Sequence, residues 1–168
     1  MSSSQSVNAS TKKGTDRHLI FALGSEEYSV PLLRVKEVIE VPEITPVPHT
    51  PAYYLGIMNL RGQVISIIDL RLKLKNVKQN LEKKTAVIIL DFEGFCVGIA
   101  VSAVTKVLAL TDEEIRPRPT METTENLDYI TGIAHRDKKL IMLLDVSRAL
   151  NVDDLNLINS QKSTLQAA

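Results

Sequence analysis

The segment Asn59-Leu60-Arg61-Gly62 sets an arginine beside a glycine between two apolar runs, Gly56-Ile57-Met58 and Val64-Ile65-Ser66-Ile67-Ile68. A turn between strands needs Gly or Asn for its backbone angles. It gains nothing from a guanidinium, whose planar fork of donors suits a carboxylate or helix-end carbonyls. Arg61 is therefore either a solvated turn residue or a recognition group. The other reactive residues do not assemble into a constellation. His18, His49 and His135 are far apart in sequence, and the chain contains no HExxH, CxxC, Walker-type loop or GxSxG elbow. The single Cys96 lies in the apolar run Phe95-Cys96-Val97-Gly98-Ile99 and reads as a small hydrophobe rather than a reactive thiol. Asp91 ends a strand-like run as a phosphoacceptor would, but no acidic pair precedes it and Gly94 follows at hairpin spacing. Thr111-Asp112-Glu113-Glu114 has the form of a capping box on a one-turn helix, which accounts for its carboxylates without a metal. The expectation is a chain that is not an enzyme and uses no metal or cofactor.

Charge and composition narrow the partners. Lys+Arg 20 against Asp+Glu 20 gives a formal charge of +0, and aromatics are 4% of the chain. Nucleic acid and anionic membranes call for a basic face, and single strands also call for stacking aromatics. Lys73, Lys75, Lys78, Lys83 and Lys84 read instead as a solubilising connector. Residues 1–16 lack an apolar signal region, and no stretch is long enough to span a bilayer. These features predict a cytoplasmic protein without direct membrane insertion.

The elements that must position Arg61 read as strands. His18-Leu19-Ile20-Phe21-Ala22-Leu23, an acidic turn and Tyr28-Ser29-Val30-Pro31 form one hairpin pattern. Thr85-Ala86-Val87-Ile88-Ile89-Leu90, a second acidic turn and residues 95–99 repeat it. Without gaps, Tyr53, Gly56, Ile57, Ile65, Asp69 and Leu74 align with Tyr129, Gly132, Ile133, Ile141, Asp145 and Leu150 at one constant offset. The chain is thus predicted to be mainly β, a duplicated small barrel of about five short strands per copy. The copies fall at approximately 17–84 and 85–158, with room for strands to exchange between them, and flexible tails at 1–16 and 159–168. Asp69 and Asp145 read as caps of short helices, the second leading into a C-terminal amphipathic helix through Leu155 and Ile158 that could lie across the seam between barrels. Asn59-Leu60-Arg61-Gly62 becomes His135-Arg136-Asp137-Lys138 in the second copy, so a barrel turn closes without that Arg and without Gly. Either Gly62 serves a differently shaped turn with Arg61 in solvent, or Arg61 has a task of its own.

The stretch GIMNLRGQVISIIDLRLKL resembles the central signature of the CheW-type chemotaxis coupling proteins, and the likeness extends over residues 17–158. It includes Glu26-Glu27-Tyr28, Val35-Lys36-Glu37-Val38-Ile39, Val104-Thr105-Lys106-Val107-Leu108 and Tyr129-Ile130-Thr131-Gly132. The resemblance implies two intertwined SH3-like barrels with no chemistry of their own. They would link the cytoplasmic tips of methyl-accepting chemoreceptors to the regulatory domain of the chemotaxis histidine kinase in membrane-bound arrays. It places the receptor's helical tip in an apolar groove at Val35, Glu37, Val38 and the segment Asn59, Leu60, Arg61 and Gly62. Barrel-to-barrel contact with the kinase would involve Val97, Ile99 and Val104. Each apolar residue also suits a core, and Glu37 a solvated surface. An alternative is a stand-alone module like a kinase regulatory domain that does not act at chemoreceptors.

Overall fold

The computed structural model of the chain describes residues 15–75, 85–92, 94–118 and 128–167. Strands β1 (Thr15–Leu23) and β2 (Glu26–Pro31) form a hairpin, and a 3-10 turn at Leu32–Arg34 leads into β3 (Val35–Glu40). A proline-rich extended loop follows, then β4 (Tyr54–Leu60), β5 (Gln63–Asp69) and helix α1 (Leu70–Lys75). The second copy runs through β6 (Ala86–Phe92), β7 (Phe95–Val101), β8 (Ala103–Thr111), β9 (Ile115–Arg116), β10 (Ile130–Arg136) and β11 (Lys139–Leu144). Helices α2 (Val146–Ala149) and α3 (Val152–Ala167) close it. β1 begins before the boundary at residue 17, and α3 continues past that at 158. Most of the expected N-terminal tail, together with Lys78, Lys83 and Lys84, lies outside the described residues.

The strands form two sheets, in the orders β8-β1-β2-β11-β10-β9 and β3-β6-β7-β5-β4. Each sheet takes a hairpin from one half of the chain and its remaining strands from the other, so the copies are intertwined. Each exchanged hairpin is joined on one side by a parallel pair, β11 with β2 and β5 with β7, and on the other by an antiparallel pair, β1 with β8 and β3 with β6. One sheet has six strands rather than five because of the two-residue β9. In the other sheet the same service falls to an isolated bridge, Thr45 to Ile57.

Burial explains why the strands read as apolar runs. Leu19, Phe21, Val30, Ile88, Leu90, Val97, Ile99 and Leu144 meet in a large core to which both sheets contribute. Met58, Ile65, Ile67, Val87 and Ile89 fill one barrel interior, and Ile20, Leu110, Ala134 and Ile141 the other. Along β7, Val97, Ile99 and Val101 enter the shared core while Cys96 and Ala100 enter a barrel. A strand buried on both faces loses its polar alternation.

The repeat identities mark identical construction. The Asp69 N–H donates to Tyr53 O and the Asp145 N–H to Tyr129 O, each at 2.7 Å. Asp69 Oδ1 accepts the N–H groups of Arg71 and Leu72, and Asp145 those of Ser147 and Arg148, as helix caps should. Helix α3 packs on β5, and Ile158 reaches the shared core. Residues 112–114 form a turn rather than the expected helix; Glu114 still accepts the Thr111 N–H at 3.2 Å.

Candidate functional site

Leu60 pairs with Gln63, leaving Arg61 and Gly62 as a two-residue hairpin loop. Both have left-handed backbone, at φ 53° and 87°, as a type I′ turn requires. The second hairpin places Asp137 and Lys138 at φ 52° and 65°. The two turns are alike, so a special turn shape does not explain Gly62, and Arg61 adopts a backbone region that disfavours its Cβ. The Asn59 Oδ1 accepts the Gly62 N–H at 2.7 Å. From this loop the Arg61 Nη1 donates to Glu37 Oε2 at 3.0 Å, with the arginine side chain 70% exposed and the glutamate 24%. β3 and β4 are the outer strands of their sheet, so the pair spans the barrel opening. The second Glu37 oxygen, Oε1, is buried and has no partner among the described residues.

The other barrel has an arginine clasp of its own, one register position earlier, since Arg136 aligns with Leu60 and Arg61 with Asp137. Arg136 Nε donates to Glu114 Oε2 at 2.9 Å, and its Nη2 to Glu114 Oε1 at 2.7 Å and to Ala109 O at 3.0 Å. Hydrogen bonds from Arg136, then from the Thr111 N–H, hold the Glu114 carboxyl below its ordinary range. Both carboxylate oxygens are engaged by that fork. At Arg61 a single bond joins the partners, which leaves most of an exposed guanidinium available.

Partly exposed apolar residues lie on the sheet edges. Val35 lies opposite Leu90 and Val38 opposite Ile88 on the edge strand β3. On β8, the edge strand of the other sheet, Val104 lies opposite Phe21 and Val107 opposite Leu19. All four opposing residues belong to the shared core, and cross-strand partners share a face. The four valines therefore border that core from its two sides. Val35 and Val104 are half-buried, and Val38 and Val107 are 41% and 47% exposed. Leu33, in the turn before β3, is 98% exposed.

Two expected contact residues are corrected. Val97 and Ile99 are 0% exposed, enclosed between β6 and β5 and packed into the shared core. They have no surface to offer a partner. Val104 stands with Val35 rather than with them, since both rest on the shared core at its margin. Sequence reasoning missed Val107 and Leu33 as exposed apolar residues. The signal was only partial, because Val107 sits in a β-branched run that would suit an interior strand equally well.

Lys73 is also not part of a solvated connector. Its ammonium lies 2.9 Å from Asp154 Oδ2 and 4.2 Å from the Tyr53 ring centre, and the Tyr53 hydroxyl donates to Asp154 Oδ1. Burial, and then the bond to Asp154, push the Tyr53 phenol up. Asp154 also accepts the Asn151 N–H, so the cluster fastens α3 to the first repeat. Arg71, 2% exposed, is held two-pronged by Asp69 at 3.0 and 3.1 Å. These ion pairs hold elements together. Among the described residues, no group of three or more His, Cys, Asp or Glu could hold a metal ion, and no helix is long and apolar enough to cross a membrane.

Known proteins resemble this chain in sequence and in structure. The profile of the CheW-like domain family matches residues 17–154. A chemotaxis protein CheW of Klebsiella aerogenes is 37% identical over 142 residues, covering 84% of this chain and 86% of that protein. The CheW of Helicobacter pylori is 36% identical, covering 79% of this chain and 80% of its own. The crystal structure of the scaffolding protein CheW from Thermoanaerobacter tengcongensis superposes with a TM-score of 0.76 at 31% identity, over 83% of this chain and 95% of that one. With two exchanged barrels, the repeat geometry and the sequence likeness all covering the same span, the chain belongs to the CheW-like domain family.

Proposed function

We propose that the chain is a non-enzymatic scaffold that couples the cytoplasmic tips of methyl-accepting chemoreceptors to the regulatory domain of a chemotaxis histidine kinase. It would act in the cytoplasm, within membrane-associated arrays. The observation that carries the receptor assignment is the incomplete Arg61–Glu37 clasp, exposed across a barrel mouth, where Arg136–Glu114 in the same fold is complete. A helical tip needs aliphatic walls and a charged rim to set its register. Val35, Val38 and Val104 furnish walls at the edge of the shared core, and Glu37 and Arg61 furnish charge. Asn59, Leu60 and Gly62 build the turn that carries Arg61. A receptor carboxylate or helix-end carbonyls would take the free prongs of the guanidinium. The kinase domain would dock on other outer barrel surfaces, because Val97 and Ile99 are interior.

The test is co-sedimentation with receptor tips and kinase, comparing the natural chain with Arg61→Ala. An exposed ion pair contributes at most about 1 kcal/mol to folding, so the thermal midpoint should move by only a few degrees while receptor binding falls. Equal losses of stability and binding would reduce Arg61 to a structural residue. Absence of any three-way assembly with the natural chain would reject the coupling role.

A further inference from the structure

We infer that Asn59 is a positioning residue: by accepting the Gly62 N–H it fixes the turn from which Arg61 is presented, and it acts on the partner only through Arg61. This rests on the reading of Arg61 as the recognition group. The Gly62 N–H belongs to the peptide unit joining the two loop residues, and its bond to Asn59 Oδ1 measures 2.7 Å. The loop has a choice of turn type. Gly62 at φ 87° suits both a type I′ turn, in which Arg61 has positive φ, and a type II turn, in which Arg61 has negative φ. The two differ in the sign of φ at Arg61 and so aim its side chain differently. The loop sequence alone leans toward the second, since a left-handed arginine is costly. The structure holds the first, at φ 53°.

The second repeat shows that the barrel does not need this bond. His135 occupies the register position of Asn59, opposite Leu140 as Asn59 is opposite Val64. Among the described residues its ring makes no bond to the loop, yet Asp137 and Lys138 hold the same left-handed pair. Lys138 lacks the freedom that Gly62 brings. The bond from Asn59 thus restrains the one flexible residue of the loop bearing the incomplete clasp.

The experiment measures affinity for a purified chemoreceptor tip fragment in Asn59→Ala, Asn59→Asp, Arg61→Ala and the Asn59→Ala/Arg61→Ala double variant, with Gly62 amide exchange followed by NMR. Losing one neutral hydrogen bond corresponds to roughly a three- to tenfold change. Asn59→Ala should weaken binding by that factor and speed Gly62 exchange, with its thermal midpoint within a few degrees of the natural chain. Asn59→Asp, which keeps the acceptor, should retain both properties. In the Arg61→Ala background, Asn59→Ala should cause no further loss. Additive losses would mean that Asn59 touches the partner itself, and would overturn the inference. Full affinity in Asn59→Ala alongside weak binding in Arg61→Ala would also overturn it, leaving the function intact. Full affinity in Arg61→Ala would remove the receptor assignment and this inference together.

Discussion

At the scale of single residues, neighbours decide which charges are free to act. Arg61, Arg71 and Arg136 all sit beside carboxylates, but Arg71 is sealed with Asp69 and Arg136 is spent on Glu114. Asp69 stands two residues from Arg71, but Glu37 and Glu114 lie 24 and 22 residues from their arginines, so no local window of sequence displays those two pairs. His18 offers a residue-scale test of burial. The residue is 6% exposed, its ring lies 3.4 Å from the Ser29 hydroxyl, and burial lowers its pKa below 6.5 against an opposing pull from Asp16. A lowered folded value means that the unfolded chain takes up the proton first as pH falls. The stabilisation is then complete above about 6.5 and is lost as pH drops toward the folded value. His18→Gln should remove this dependence, so the gap between the two melting temperatures should change between pH 7 and pH 5. A constant gap would show that the imidazole is not buried in neutral form.

At the scale of elements, the glycines and aspartates shared by the repeats proved to be construction points. A Cβ on Gly56 would lie 2.1 Å from Thr45 O, and its φ is 142°, so the bridge between Thr45 and Ile57 depends on a bare backbone. Gly132 is tight rather than impossible, with Ile115 Cγ2 3.0 Å from its virtual Cβ. Gly56→Ala should therefore cost about 3 kcal/mol or more, and Gly132→Ala distinctly less, in urea unfolding. Equal costs would contradict the packing at Thr45. Repeat identities, caps and hairpins were legible in the sequence because each is a local signal. The face of a strand was not. Residues 95–101 in β7 follow an apolar pattern on both parities, and only the packing of Val97 and Ile99 in the shared core and of Cys96 and Ala100 in a barrel interior shows both faces covered. Lys73 misled for a related reason, since its partner Asp154 lies far along the chain.

For the whole molecule, α3 is where the last segment of the chain is tied to the first repeat. Asp154 is 3% exposed and serves Lys73, Tyr53 and the Asn151 N–H. Removing it strands a largely buried ammonium, so Asp154→Ala should cost about 3–5 kcal/mol and release α3 amides to hydrogen exchange before the sheets. Protection of α3 equal to that of the natural chain would show that Ile158 and Leu155 suffice. The residues proposed as apolar walls could not be grouped from the sequence, because Val35 and Val38 lie on an edge of one sheet and Val104 on an edge of the other. The exchange of hairpins carries a further consequence. A polypeptide cut between residues 76 and 84 would yield two pieces, neither owning a full set of strands for either barrel. Each piece alone should be unfolded by circular dichroism, and mixing should restore the native spectrum with one melting transition. Every barrel is thus the joint property of both ends of the chain, and neither can loosen without its twin.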